Sequence, residues 1–355
     1  MSGGTDAVLA LARPDILELQ PYQHAAWDPS LERMHANEMP WRAQGDNTAA
    51  GLNRYPEPQP RALVERMARL YGVPAPNVLV GRGSDEAIDL LVRAFCRAGE
   101  DRVVITPPTF GFYKVAARIQ GAGALEVPLL REGFALDTPA VIEAGRRAKI
   151  VFLCSPNNPT GNLLDEDAML AVCRELAGRA LVCVDEAYLE FTGRASLSAR
   201  LDGLPNLVVL RTLSKAYALA GARLGTLIAR EPVVSLLKRV IPPYALPAST
   251  VEQVLALTEA PQRAMAADRI RTLITEREAM RTRLGRMSIV ARVFPSEANF
   301  LLVEFTDARR ALEAGKSAGL LVRDFSGAPG LANCLRISVG TPQQNERLLA
   351  ALERA

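Results

Sequence analysis

From Asn77 onward, short apolar runs alternate with stretches of helical spacing. The runs Val78–Val80, Val103–Thr106, Ile150–Cys154, Leu181–Val184, Leu207–Leu210 and Thr226–Ala229 are apolar at consecutive positions, a terminal threonine in two of them aside, and not at every second one. That pattern predicts strands buried on both faces, as in a parallel sheet covered by helices. Helical spacing places Leu63, Val64, Met67 and Leu70 on one side of a helix over Arg61–Tyr71. A second helix is expected over Ala87–Arg97, with Ser84 as its candidate N-cap. Strands alternating with helices give an α/β architecture with right-handed crossovers.

The two ends of the chain break this pattern. Residues 1–55 have weak periodicity and many turn formers. They are expected to form an irregular arm with a short helix, packed on the small domain or on a neighbouring subunit. Pro261–Arg286 reads as one long, arginine-rich linking helix. Beyond it come a strand at Phe300–Val303, a helix at Ala308–Ala318, strands at Leu320–Arg323 and Leu335–Val339, and a helix at Gln343–Arg354. The expected division is an arm over 1–55, a large α/β domain with the linking helix over 56–286, and a small α+β domain over 287–355.

Polar residues gather directly after the predicted strands, which is the edge of an open α/β sheet where ligands bind. Lys215 follows Leu207–Leu210, so its ammonium is held near the apolar interior, where its pKa falls and the free amine becomes a usable nucleophile. Thr212, Ser214 and Arg223 flank it with two hydroxyls and a fixed cation, which suit a phosphate. A nucleophilic amine beside a phosphate cup points to pyridoxal 5'-phosphate (PLP) held as a lysine Schiff base; a solvated lysine at a strand end is the plainer reading of the same stretch. Gly83-Ser84-Asp85 opens a helix, where free amides and the helix dipole favour phosphate, although a plain capped turn looks the same in sequence. Gly81-x-Gly83 starts like a dinucleotide fingerprint, but Glu86 stands where the third glycine belongs.

Asp185 follows four apolar residues and needs a cation or donor to offset its burial. A protonated pyridine nitrogen would serve; so would an arginine in a buried ion pair. Tyr188 and Asn158 could reach a phenolic oxygen, Asn158 alternatively forming an Asx-turn. Phe110 could stack on a ring or simply fill the core.

Composition narrows the alternatives. The 42 basic and 39 acidic residues are interspersed, so no basic block marks a nucleic-acid partner. The only histidines, His24 and His35, lie in the leader, which disfavours a histidine-centred triad or a two-histidine metal site. Five scattered cysteines with no CxxC fit a reducing compartment and not a zinc site. With neither a signal-peptide pattern nor a run of membrane-spanning length, a cytoplasmic protein is expected. Ser235-x-x-Lys238 has the spacing of a serine acyl enzyme but lacks the partner motifs, and reads as one face of a helix. No DNA-binding module precedes residue 55, which weighs against a PLP-dependent regulator.

Taken in order, these blocks resemble one family. They are Asn53-Arg54-Tyr55-Pro56, Gly81–Glu86, Pro107–Gly111, Ser155–Gly161, Val184–Tyr188, Arg211–Ala216 and Leu335–Gly340. The chain resembles the fold-type I aminotransferases of the class I/II group, and more narrowly their histidinol-phosphate branch, from about Pro21 to the C-terminus. The resemblance implies a mostly parallel seven-stranded sheet, PLP as cofactor, and a homodimer with shared active sites. It implies transamination between L-histidinol phosphate and 2-oxoglutarate. An aromatic-amino-acid aminotransferase or a phospho-amino-acid decarboxylase is the alternative within the fold. Carried over by position, Lys215 would hold the cofactor and shuttle the proton, Asp185 would hold the ring nitrogen, and Tyr188 and Asn158 the phenolic oxygen. Ser84, Asp85, Ser214, Arg223 and a neighbour's Tyr55 would bind the cofactor phosphate. Arg336 would bind the donor carboxylate, Arg323 and Tyr22 the substrate phosphate, and Asn37 would lie in the substrate loop. Phe110 stands where the family often has tyrosine, which keeps ring stacking and loses a hydroxyl.

Overall fold

A computed structural model describes residues 7–23, 28 and 30–355; His24 lies outside the described residues. Seven strands build the large sheet: β1 (Val78–Gly81), β2 (Arg102–Ile105), β3 (Gly123–Glu126), β4 (Ile150–Cys154), β5 (Leu181–Asp185), β6 (Leu207–Thr212) and β7 (Gly225–Ala229). Their order is β1-β7-β6-β5-β4-β2-β3, and only β7 runs against the others.

Both faces of this sheet are covered, which is why its central strands read as unbroken apolar runs. Ile150, Phe152, Leu181, Cys183, Val208 and Leu210 face one core layer. Val151, Leu153, Val182, Val184, Leu207 and Val209 face the other. The helices Arg61–Tyr71 and Ser84–Phe95 flank the β1 end. The leader's Val8, Leu11, Ala12 and Ile16 join the first layer beside Phe95 and Leu237, so this part of the arm packs on the large sheet. Its backbone is tied there by Arg13 N–H to the Ala94 carbonyl and by Arg239 Nη1 to the Leu17 carbonyl.

The long helix spans Ala260–Leu284 and leads into an antiparallel sheet of order β10-β11-β9-β8. These strands are β8 (Val290–Val293), β9 (Phe300–Phe305), β10 (Arg323–Asp324) and β11 (Cys334–Ser338). Leu301, Val303 and Phe305 of β9 pack with Leu335, Ile337, Met280 and the C-terminal helix residues Leu348, Leu349 and Leu352. The strand expected at Leu320–Arg323 is reduced to Arg323–Asp324, because only these two residues pair with β11. A backbone bond from the Glu297 N–H to the Gly161 carbonyl joins this region to the loop after β4.

Candidate active site

The register of the central strands sets three side chains side by side. Cys154, the last residue of β4, lies opposite Asp185, the last of β5, and Asp185 lies opposite Leu210, two residues before the end of β6 at Thr212. The chain turns there into Ser214 and Lys215. A cavity of about 260 Å³ opens on this edge, lined among others by Ser84, Asp85, Phe110, Asn158, Asp185, Tyr188, Ser214, Lys215, Arg223 and Arg336. All ten were singled out in the sequence. They come from seven separate segments, and the fold brings them together.

One end of the cavity is built to take an anion. The helix Ser84–Phe95 begins here, and its first amides have no partner within the helix. Ser84 is the first helical residue and not the cap; Gly83, at φ 85°, occupies that position. A Cβ on Gly83 would stand 2.6 Å from Arg223 Nη2, so a side chain there would displace the guanidinium. Arg223 leans over this turn, 3.4 Å from Asp85 Oδ2, and donates to the Ala220 carbonyl at 3.2 Å. Across from it, the Thr212 hydroxyl donates to Ser214 Oγ at 3.0 Å and accepts the Ser214 N–H at 3.2 Å. Two hydroxyls, a guanidinium and a helix N-terminus form a cup for a phosphate-sized group.

The middle of the cavity holds an amine and a buried acid. Lys215 Nζ lies 5.8 Å from the Tyr188 ring centre. Loss of solvation, reinforced by the Arg336 charge, holds the Lys215 pKa below the ordinary lysine value. Asp185 is 3 % exposed. Burial raises its pKa to about 6, although Tyr113 Oη donates to Oδ2 at 2.8 Å and the Ala187 N–H to Oδ1 at 3.1 Å. Tyr188 is buried, edge-on to Phe300, and burial also raises its hydroxyl's pKa.

The far end is cationic. Arg336 on β11 lies between the rings of Phe300 and Phe325, each 5.3 Å from its guanidinium, and donates to Asn158 Oδ1. Among the described residues no carboxylate pairs with it, and burial lowers its pKa from the usual arginine value. Asn158 is fixed by its neighbour. Asn157 Nδ2 donates to the Pro108 carbonyl at 2.8 Å and to Thr160 Oγ1 at 2.6 Å, and Thr109 Oγ1 donates to Asn157 Oδ1.

Four expected residues lie outside this cavity. Arg323 is the direct cross-strand partner of Arg336, with its guanidinium 6.0 Å from the Phe325 ring centre. No ion pair joins Arg323 to Asp324 among the described residues; Asp324 accepts the Ser326 N–H instead. Tyr55, half exposed, stacks on Tyr244 at 4.5 Å, and Tyr22 is exposed near the same ring. Asn37 is exposed, at φ 56°. Ser235 and Lys238 are exposed on and just beyond the helix Glu231–Leu237, away from any such constellation. The sequence reading missed Tyr113. No local signal marks it: it lies in the first turn of the helix Phe112–Gln120, and its partner is set by tertiary packing.

A fold-type I architecture with this edge site defines a class of proteins. Residues 32–352 match the family described as aminotransferase class I and II, and the chain belongs to that family. It is 47 % identical over 358 residues to a histidinol-phosphate aminotransferase of Stenotrophomonas maltophilia, covering 99 % of this chain and 98 % of the relative. It is 46 % identical over 359 residues to the enzyme of that name from Xylella fastidiosa, covering 99 % and 98 %. Among solved structures it is similar to the histidinol-phosphate aminotransferase of Sinorhizobium meliloti in complex with pyridoxal-5'-phosphate. The identity there is 25 % and the TM-score 0.74, over 85 % of this chain and 82 % of that one.

Proposed function

We propose that the chain is a PLP-dependent aminotransferase that exchanges an amino group between L-histidinol phosphate and 2-oxoglutarate, in histidine biosynthesis. The observation that carries the cofactor assignment is one cavity holding Lys215, the buried Asp185 and the anion cup of Ser84, Asp85, Ser214 and Arg223. The donor set fits PLP at both ends: cations, hydroxyls and amides for its phosphate, a carboxylate for its pyridinium.

When bound, PLP supplies a carbonyl for the amino group and an electron-poor ring that draws charge from the substrate's Cα. The protein does the rest. The Lys215 amine, its pKa lowered chiefly by burial, would hold the cofactor and then move the proton at Cα. Asp185 would keep the proton on the ring nitrogen. Asn158, its carbonyl oxygen engaged by Arg336, has its amide N–H groups left to donate to the ring's hydroxyl oxygen, to which Tyr188 would also donate. Phe110 would cover the ring face.

The substrate assignment is supported by the arginine pair. Arg323 and Arg336 stand opposite one another on adjacent strands, an arrangement that is repulsive unless an anion lies between them. Arginine's planar fork takes carboxylate or phosphate, as two different amino donors require. By the family resemblance Tyr22 would contact the substrate phosphate and Asn37 would lie in the substrate loop, although both lie outside this chain's own cavity. Tyr55, absent from its own chain's cavity, reaches a neighbour's cofactor phosphate in a homodimer. Trp41, Met34, Leu31 and Leu52, all more than half exposed, support a reading of the arm as the dimer surface. No helix among the described residues is long and apolar enough to cross a membrane, and five buried free cysteines fit a cytoplasmic enzyme.

The test is covalent trapping. Protein loaded with PLP should absorb in the visible, and borohydride should bleach that band and fix the pyridoxyl group on Lys215. Recovery of the label on any other residue would refute the cofactor assignment.

A further inference from the structure

We propose that Tyr113 is a positioning residue of this site, whose hydroxyl and ring together hold the Asp185 carboxylate and the Phe110 ring in register for a bound pyridine ring. Its catalytic consequence rests on the cofactor reading above; its structural content does not.

Tyr113 is fully buried. It stacks nearly parallel on Phe152, with centroids 4.8 Å apart and planes 4° apart. Its edge meets Phe110 at 5.5 Å and 86°. A phenylalanine would satisfy that packing as well. The hydroxyl is the extra feature, and a buried hydroxyl is costly unless bonded. Its partner is Asp185 Oδ2, 72 residues away in sequence, at 2.8 Å.

The geometry has two effects. The first is on charge. Apart from the Ala187 amide, this hydroxyl is the one hydrogen-bond donor to the Asp185 carboxylate among the described residues. The groups acting on Asp185 are Tyr113 from the helix Phe112–Gln120, the Ala187 amide, Asp85 and Lys215. Cys154 of β4, Cys183 of its own strand and Tyr188 lie within its electrostatic reach. Asp85 works against ionisation, Lys215 and the two donors for it. Burial and the adjoining carboxylate keep the Tyr113 phenol protonated well above the ordinary tyrosine range, so it acts as a donor throughout. The second effect is on direction. One oxygen held by the phenol and the other by a backbone amide restrict the carboxylate's rotation. The same ring sets the tilt of Phe110, so acid and stacking face share one support.

Tyr113→Phe keeps the stack and removes only the donor. In apo-protein carrying 13C-labelled aspartate, with Asp185→Asn assigning the resonance, the Asp185 titration should move to higher pH, reflecting roughly tenfold weaker ionisation. The PLP dissociation constant, followed by absorbance across about pH 5 to 9, should weaken roughly 10- to 100-fold, and its acidic limb should move with the titration. In an Asp185→Asn background the same change should leave the PLP profile unmoved. An Asp185 titration unchanged by Tyr113→Phe overturns the inference, as does a titration that moves while the PLP profile does not. If neither protein takes up PLP although the titration moves, the hydrogen-bond assignment stands and the cofactor reading falls.

Discussion

Asp185 carries charge where burial opposes it. Its folded pKa of about 6 lies above the ordinary 3.8. An acid shifted this way holds extra protons in the folded state between those values, so its contribution to stability falls as pH rises through that window. Above it, the buried charge costs the apo-protein about 3 kcal/mol at most. Asp185→Asn should therefore raise the apo-protein's stability at pH 8 by roughly 1–3 kcal/mol, less whatever the amide loses in hydrogen bonding, and the gain should vanish near pH 4. Thermal melts at the two pH values check this. The same variant should lose roughly 3–5 kcal/mol of transition-state stabilisation, seen as a kcat lower by two to four orders of magnitude. A near-normal kcat would place the ring-nitrogen partner elsewhere.

At the scale of elements, the anion cup depends on how closely β7 approaches the helix beginning at Ser84. A Cβ on Gly225 would stand 2.2 Å from the Gly83 carbonyl carbon and 2.4 Å from the Ser84 nitrogen, both backbone atoms that cannot step aside. Gly225→Ala should push the helix start away from Arg223 and weaken PLP binding roughly 5- to 150-fold, a loss on the order of 1–3 kcal/mol. Wild-type PLP affinity in that variant, measured by titration of apo-protein, would show that the cup tolerates the displacement. The central strands were legible in the sequence because β4, β5 and β6 are apolar on both faces. β3 was not, since Gly123-Ala124-Leu125-Glu126 is an edge strand with exposed ends. β8 is short and half exposed, and β10 is two residues long, so neither carries a periodic signal. The site residues at strand ends were legible for the same reason the strands were: each follows an apolar run. Tyr113 was not, because its partner is set by tertiary packing and not by spacing. The Arg323–Arg336 pairing depends on register between two strands, which local pattern does not encode.

At the scale of the whole molecule, the arm ties the account to assembly. Glu38, with its side chain almost fully buried, accepts from Arg33, from Arg54 at 3.0 Å and from the Tyr55 N–H at 2.7 Å. It thereby fixes the backbone that presents Tyr55. If Tyr55 serves a neighbour's site, mixing Tyr55→Phe with Lys215→Ala subunits creates hybrids with one complete site, since the second subunit offers its own Tyr55 to the first subunit's lysine. Activity above the average of the two parents is the expected result. Hybrids that match the average would mean that each subunit is self-contained.

The substrate is the central claim, and competition for one pocket tests it most directly. The measurement is kcat/KM for glutamate formation from 2-oxoglutarate, with histidinol phosphate and with phenylalanine as donors, for wild type and Arg323→Ala. Wild type should prefer histidinol phosphate. Arg323→Ala should lose about 2–4 kcal/mol with that donor, roughly 30- to 900-fold, and much less with phenylalanine. A wild-type enzyme that prefers phenylalanine, or a variant that loses both activities equally, would contradict the account.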